Sequence, residues 1–276
     1  MRPRRAAHLH DVVLALAAAS LTSCQAPAPD HSAVFDGRGG RWVDLTHAFS
    51  ESTIYWPTDT AGFRLEELAF GPTEGGWFYA SYAFATAEHG GTHLDAPIHF
   101  SEGGLTTDRI PLSGLIGPAA VVDVSDRVTP DYLVGVEDLE SWEAEHGPLP
   151  DGGILLVPTG WSDRWSDRAA YLGTEATGPE AVSELHFPGI DPDAATWIVD
   201  NRGIVAVGID TPSLDYGQST DFRTHVTLYG ENIAGFENVA SLELLPERGS
   251  YVVALPMKIA GGSGGPLRIV AFVPNG

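Results

Sequence analysis

Cysteine and lysine are nearly missing from this chain, with Cys24 and Lys258 the only ones in 276 residues. A solitary thiol rules out a disulfide within the chain and argues against a catalytic thiol. Basic residues are scarce altogether. Fifteen Lys and Arg stand against 37 Asp and Glu, for a formal net charge of -22. Such a surface repels phosphate backbones, which excludes nucleic acid as a partner and disfavours anionic membrane surfaces. The same acidity serves solubility in a salty medium, so it does not by itself imply metal binding. Long apolar runs are lacking too, since Val12 to Leu21 is too short to span a bilayer as a stable helix. No repeat of fixed period occurs. The 43% hydrophobic content suits one domain with a substantial core.

The apolar run follows Arg2, Arg4 and Arg5, the pattern of an export signal over residues 1–23. It ends in Leu21-Thr22-Ser23-Cys24, which resembles the bacterial lipobox and makes Cys24 the residue that receives lipid. An ordinary secretory signal cleaved nearby is the competing reading. Residues 24–40, rich in Ala, Pro, Asp, Ser and Gly, read as a flexible tether, and 41–276 as the folded domain. The chain is thus expected outside the cytoplasm, lipid-anchored at a bacterial envelope and touching membrane only through that anchor.

What the domain has in abundance is ligand chemistry in one short segment. Glu88-His89-Gly90-Gly91-Thr92-His93-Leu94-Asp95-Ala96-Pro97-Ile98-His99-Phe100 places three histidines and an aspartate in the eleven positions from His89 to His99. Neutral imidazole and carboxylate oxygen suit Zn²⁺ or Mn²⁺, and a site with open positions leaves room for a water that becomes a nucleophile. His93 and Asp95, two apart, point the same way in an extended segment, while Gly90 and Gly91 let the chain bend His89 onto the same ion. The alternative is a polar surface loop that happens to be rich in histidine.

Elsewhere short apolar runs are cut by glycine and proline, a mixed fold rich in strands. Phe78 to Ala85 carries Phe78, Tyr82 and Phe84 on one parity and reads as a half-buried strand leading into the motif. Further strands are expected at 119–124, 154–157, 204–209, 251–255 and 269–273. Helices are expected at Val136 to Glu145 and at Pro192 to Asn201, the second with Asp191 as N-cap and Pro192 in its first turn. Downstream, His225 and Glu237 lie twelve residues apart, a weak signal alone that gains weight if one ion needs partners or a second ion needs ligands.

The run His-Gly-Gly-Thr-His-Leu-Asp-Ala-Pro-Ile-His-Phe resembles the signature of the metal-dependent cyclase family, which includes bacterial kynurenine formamidases and isatin hydrolases. Gly208 to Ser213, His225, Glu237-Asn238 and Gly261 to Arg268 fall where that family has similar segments. The resemblance implies an α/β domain of swivelling β/β/α type with a strand-rich core, assembled as a dimer or higher oligomer. It implies one or two divalent ions, with His89, His93 and Asp95 holding the first, and Asp95 reaching a second held by His225 and Glu237. His99 would lie beside the metal-bound water as the catalytic acid and base.

The activity so implied is hydrolysis of a formamide or cyclic amide of an aromatic compound by metal-bound hydroxide. The bound ion lowers the pKa of its water from near 16 toward about 7, and His99, titrating near neutrality, moves the proton to the leaving nitrogen. The leading version is arylformamidase-like, N-formylkynurenine to kynurenine plus formate. An isatin-type lactam hydrolase and a polyketide-type cyclase are the alternatives. Export sits badly with a cytosolic product of tryptophan breakdown, which leaves the substrate open. Aromatics bordering the site, Trp56 foremost with Phe63 and Trp77, are the candidates for holding a flat substrate. A reading from another class is a lipid-anchored metal- or solute-binding protein, against which His99 speaks as a spare titratable group beside the ion.

Overall fold

Aliphatic and β-branched runs of four to six residues, too short for helices and bounded by glycine or proline, become strands buried on both faces. In this computed structural model, which describes residues 31 to 275, the strands are β1 (Gly40–Asp44), β2 (Arg64–Pro72), β3 (Phe78–Ala85), β4 (His93–Asp95), β5 (Ile116–Val121), β6 (Leu133–Val134), β7 (Ile154–Val157), β8 (Gly189–Ile190), β9 (Ala206–Ile209), β10 (Ala234–Glu237), β11 (Arg248–Pro256) and β12 (Gly264–Pro274). The α-helices are α1 (Val136–His146), α2 (Arg168–Leu172), α3 (Pro192–Asn201) and α4 (Arg223–Gly230). The expected signal segment and Cys24 lie outside the described residues. Residues 31–39 of the expected tether lie against β1, with the Trp42 indole N–H donating to the Val34 carbonyl at 3.0 Å. No helix among the described residues is long and apolar enough to cross a membrane.

The main sheet runs β1-β12-β11-β5-β7-β9-β10-β4, and β4 pairs again with β12. One strand closes the ring because it is long. The eleven residues of β12 pair with β4 through Gly264 to Pro266 and with β1 through Val270 to Pro274, while Leu267 to Phe272 pair with β11. The result is a barrel-like ring of seven strands with β1 added at its side, the strand-rich α/β domain expected. Within it β5, β7, β9 and β10 are parallel neighbours. β4 is antiparallel to both its partners.

One core fills the ring, with Leu45, Leu94, Phe236 and Ile269 fully buried. A second lies between the sheet and the helices, around Leu139, Ile198, Leu228 and Tyr229. Helix α3 shows how sequence sets this layer. Its start is fixed by the Asp191 side chain, which accepts from the Asp193 N–H at 2.7 Å, with Pro192 in the first turn. Such a cap contributes about 1 kcal/mol, and the buried Ala194, Ala195 and Ile198 then turn inward.

The expectation for Phe78 to Ala85 needs correction. The segment is a strand with those bounds, yet it pairs only with β2 in a separate hairpin. Alternation suggested one buried face; neither face packs on the core, and Phe70, Phe78 and Phe84 are each more than half exposed. The histidine-rich motif therefore follows this hairpin in sequence but is built on the main sheet.

Candidate metal centre

Strand β4 is the centre of the site because its period of two does two jobs. His93 and Asp95 face one way into the site, and Leu94 between them faces the ring core with no exposure. On one side β10 sets Glu237 directly opposite His93. On the other, β12 lies close against β4, and only glycine permits it. A Cβ at Gly264 would stand 2.7 Å from the Leu94 carbonyl and 2.5 Å from the His89 ring. Gly91, at φ +58°, turns the chain so that His89 folds back beside β4. His225 arrives from α4, and His99 from a 3₁₀ turn, Pro97–His99.

Four imidazoles converge on Asp95. Its Oδ1 lies 2.7 Å from His89 Nδ1 and 3.1 Å from His93 Nε2; its Oδ2 lies 3.5 Å from His225 Nε2 and 3.9 Å from His99 Nε2. Glu237 spans the other side, with Oε2 3.4 Å from His93 Nε2 and Oε1 3.0 Å from His225 Nε2. Ligand atoms within 4.8 Å of one another fall into two groups that share Asp95: His89, Asp95 and His99, and His93, Asp95 and Glu237. This division differs from the sequence expectation, in which His93 sat with His89 and His99 stood apart as an acid and base. His99 stacks on the His89 ring at 3.8 Å, inside the ligand cluster.

Three of the four imidazoles at the centre, all but His99, have their other nitrogen tied down. His93 Nδ1–H donates to the Gly91 carbonyl at 3.0 Å, and His225 Nδ1–H to Asp215 Oδ2 at 2.5 Å. Asp215 is itself fixed by the backbone N–H groups of Thr224 and His225. Ser263 donates both its N–H and its hydroxyl to Glu88 Oε2, so its oxygen accepts His89 Nε2–H at 2.9 Å. The inner nitrogen of each of these rings is thereby aimed at the carboxylates, which accept its N–H here, and an ion taking the place of that proton would meet the ring lone pair, as outer partners orient metal-binding histidines. Tyr229 O–H donates to Asp95 Oδ2 at 3.1 Å, and the Leu214 N–H donates to Glu237. Asp215 escaped the sequence reading because no spacing rule ties it to the motif, while Glu88 and Ser263 lay in segments singled out there without being given a role.

The charge balance also fits a divalent ion. Burial opposes every ionised form here, yet the imidazoles of His89, His225 and His93 hold Asp95 well below the usual carboxylate range. Burial likewise works against His225 and His93, and the facing carboxylates overcome it, lifting His225 well above and His93 above the ordinary imidazole value. Protons on two buried imidazoles thus supply the positive charge that a cation would bring. Nitrogen and oxygen donors of this kind accept Zn²⁺ and Mn²⁺ alike.

A stability profile follows. His93 and His225 bind protons more tightly folded than unfolded, so their contribution is full below about pH 6.5 and is lost as pH rises through their folded values. His47 and His99, held at about 4 by burial, act oppositely and cost stability as pH falls below about 6.5. Asp210, raised to about 6 by burial, counters them only in part. The metal-free domain should therefore be most stable near pH 6.5. An ion held by His93 and His225 would replace their protons and remove the alkaline loss. Thermal melts from about pH 5 to 9, with and without metal, check this, and a metal-induced shift that does not grow with pH would contradict it.

The centre opens into a cavity of about 320 Å³. Trp56, the first of the aromatic candidates, lines it together with Tyr55, Phe100 and Phe222. Phe222 holds φ +48°, rare outside glycine, immediately before α4, and its ring sits 5.1 Å from Phe100 and 6.4 Å from Trp56. Strain of that kind persists where surrounding contacts impose it. The other two aromatic assignments are corrected: Phe63 packs on Phe49 and Phe84, and Trp77 is 63% exposed at the hairpin tip. Neither lines the cavity.

Residues 43–216 match the family model described as "Putative cyclase". The chain is 36% identical to the isatin hydrolase of Roseibium aggregatum over 212 residues, 72% of this chain and 77% of that protein. It is 29% identical to the kynurenine formamidase of Salinibacter ruber, over 83% of this chain and 95% of that one. Among solved structures, isatin hydrolase A from Ralstonia solanacearum superposes with a TM-score of 0.78 at 32% identity, covering 88% of this chain and 95% of that chain.

Proposed function

The chain belongs to the cyclase family and is a hydrolase; from the buried centre we propose that it cleaves the amide C–N bond of a planar aromatic compound, a ring amide of isatin type foremost. The observation that carries this reading is the set of imidazoles whose outer nitrogens are all tied and whose inner nitrogens face Asp95 and Glu237. An arylformamidase acting on N-formylkynurenine is the second reading, supported by the likeness to the kynurenine formamidase. The binding-protein alternative draws no support from the relatives, which are enzymes by name.

His89, His93, Asp95, His225 and Glu237 are the residues that would hold one or two divalent ions. When bound, the ion would polarise the amide carbonyl and acidify a water. Burial lowers His99 to about 4, below the near-neutral titration expected from the sequence, so at neutral pH its Nε2 is unprotonated and free to take a proton from the attacking water and return it to the leaving nitrogen. Water adds to the carbonyl carbon, the C–N bond breaks, the nitrogen gains a proton, and the new carboxyl group loses one. Trp56, Phe100 and Phe222 form walls for the flat ring.

Metal analysis of residues 31–276, coupled to hydrolysis assays on isatin and N-formylkynurenine before and after chelation, tests the proposal. Stoichiometric metal with chelator-sensitive opening of isatin is the expected result. Turnover of N-formylkynurenine alone would select the second reading, and a metal-free protein active on either would overturn the centre's assigned role.

A further inference from the structure

The cavity wall carries a charge that the hydrolytic reading does not use. Of the acids lining it, Asp95 and Glu237 are committed to the imidazole cluster, while Asp59 stands apart on the turn that bears Trp56. The Asp59 N–H donates to the Trp56 carbonyl at 2.9 Å, closing a turn with Pro57 in its second position. Asp59 Oδ1 accepts the Ala61 N–H at 2.8 Å. The carboxylate is thus fixed by its own loop, and among the described residues it forms no ion pair. None of the described residues lining the cavity is Lys or Arg. Arg168, whose guanidinium donates to the Tyr55 and Ala176 carbonyls, lies outside the lining.

Resting on the reading proposed above, we infer that Asp59 is a specificity-determining residue that makes the cavity select uncharged aromatic amides over those bearing an anionic group. The turn locks the aromatic seat and the negative charge together, so a ring seated against Trp56 carries any anionic substituent toward a carboxylate that no Lys or Arg of the described lining offsets. The same charge acts on the product. Hydrolysis of a neutral ring amide opens it to a carboxylate on the same molecule, and the Asp59 charge then favours release over retention. The substrate enters neutral and the product leaves as an anion.

The test uses isatin-5-sulfonamide and isatin-5-sulfonate, two compounds of matched shape that differ in charge, with the metal-loaded enzyme. At low salt kcat/KM should favour the sulfonamide by about tenfold, a preference that narrows as salt screens the field. Asp59→Asn should bring the ratio to within about threefold, and Asp59→Lys should reverse it. A ratio unchanged in both variants, or near one for the natural enzyme at low salt, would overturn the inference while leaving the hydrolase intact. The salt dependence of the natural enzyme decides the matter even if the variants fold poorly. If neither isatin nor its sulfonamide is opened, the proposed function itself falls, and this inference falls with it.

Discussion

Asp95→Asn is expected to lose bound metal and at least about a thousandfold in turnover together, beyond the ten- to hundredfold typical of changing an outer partner. Asparagine keeps the shape and one carbonyl oxygen but removes the charge around which the site is arranged. Four imidazoles and the Tyr229 hydroxyl address this one carboxylate, and both groups of ligand atoms include it. No neighbour can replace it, because Glu237 reaches His93 and His225 but is in neither contact with His89 nor grouped with it. The variant should remain folded. Without the carboxylate His93 and His225 lose much of what raises their proton affinity, so they shed charge rather than stay buried as unpaired cations. Metal content by elemental analysis and kcat on isatin are the two readings. Full metal occupancy with turnover within tenfold of the natural enzyme would refute the assignment of Asp95 as the shared ligand.

The sequence made the part of this site that is local legible, and it hid the part that depends on the chain folding back. His89, His93, Asp95 and His99 fall within eleven residues, and strand periodicity with a flexible glycine pair was enough to aim three of them together. His225 and Glu237 carried little weight alone, since only the pairing of β10 with β4 sets Glu237 opposite His93. The helix bearing His225 lacks the usual start signal: it follows Phe222 in a left-handed conformation with no side-chain cap. Asp215, ten residues before His225, becomes its partner through a loop whose course no propensity announces. Buried parallel strands such as Ile154–Val157 were visible as unbroken apolar runs. The β2–β3 hairpin misled because alternating aromatics normally imply one packed face, and here both faces are open.

His99→Ala should cost at least about a hundredfold in kcat while metal stays bound, the range of a lost general acid and base. The geometry makes this a sharp test, because His99 occupies two positions at once. Its ring lies flat on His89 and its Nε2 is 3.9 Å from Asp95 Oδ2, close enough to join His89 and Asp95 as a ligand group. Yet it differs from the other imidazoles in what holds it. His89, His93 and His225 each give one ring nitrogen to a fixed acceptor, whereas no hydrogen bond among the described residues orients His99, and its side chain is 31% exposed at the cavity. A ring that must carry a proton between water and a leaving nitrogen needs such freedom; a ligand does not. Burial also keeps it unprotonated at neutral pH, the state a base requires. Activity should fall as acid protonates this ring, and the variant should lose that acid limb along with most of its rate. Loss of metal in step with loss of turnover would instead make His99 a ligand, and the proton would then need another carrier in the cavity.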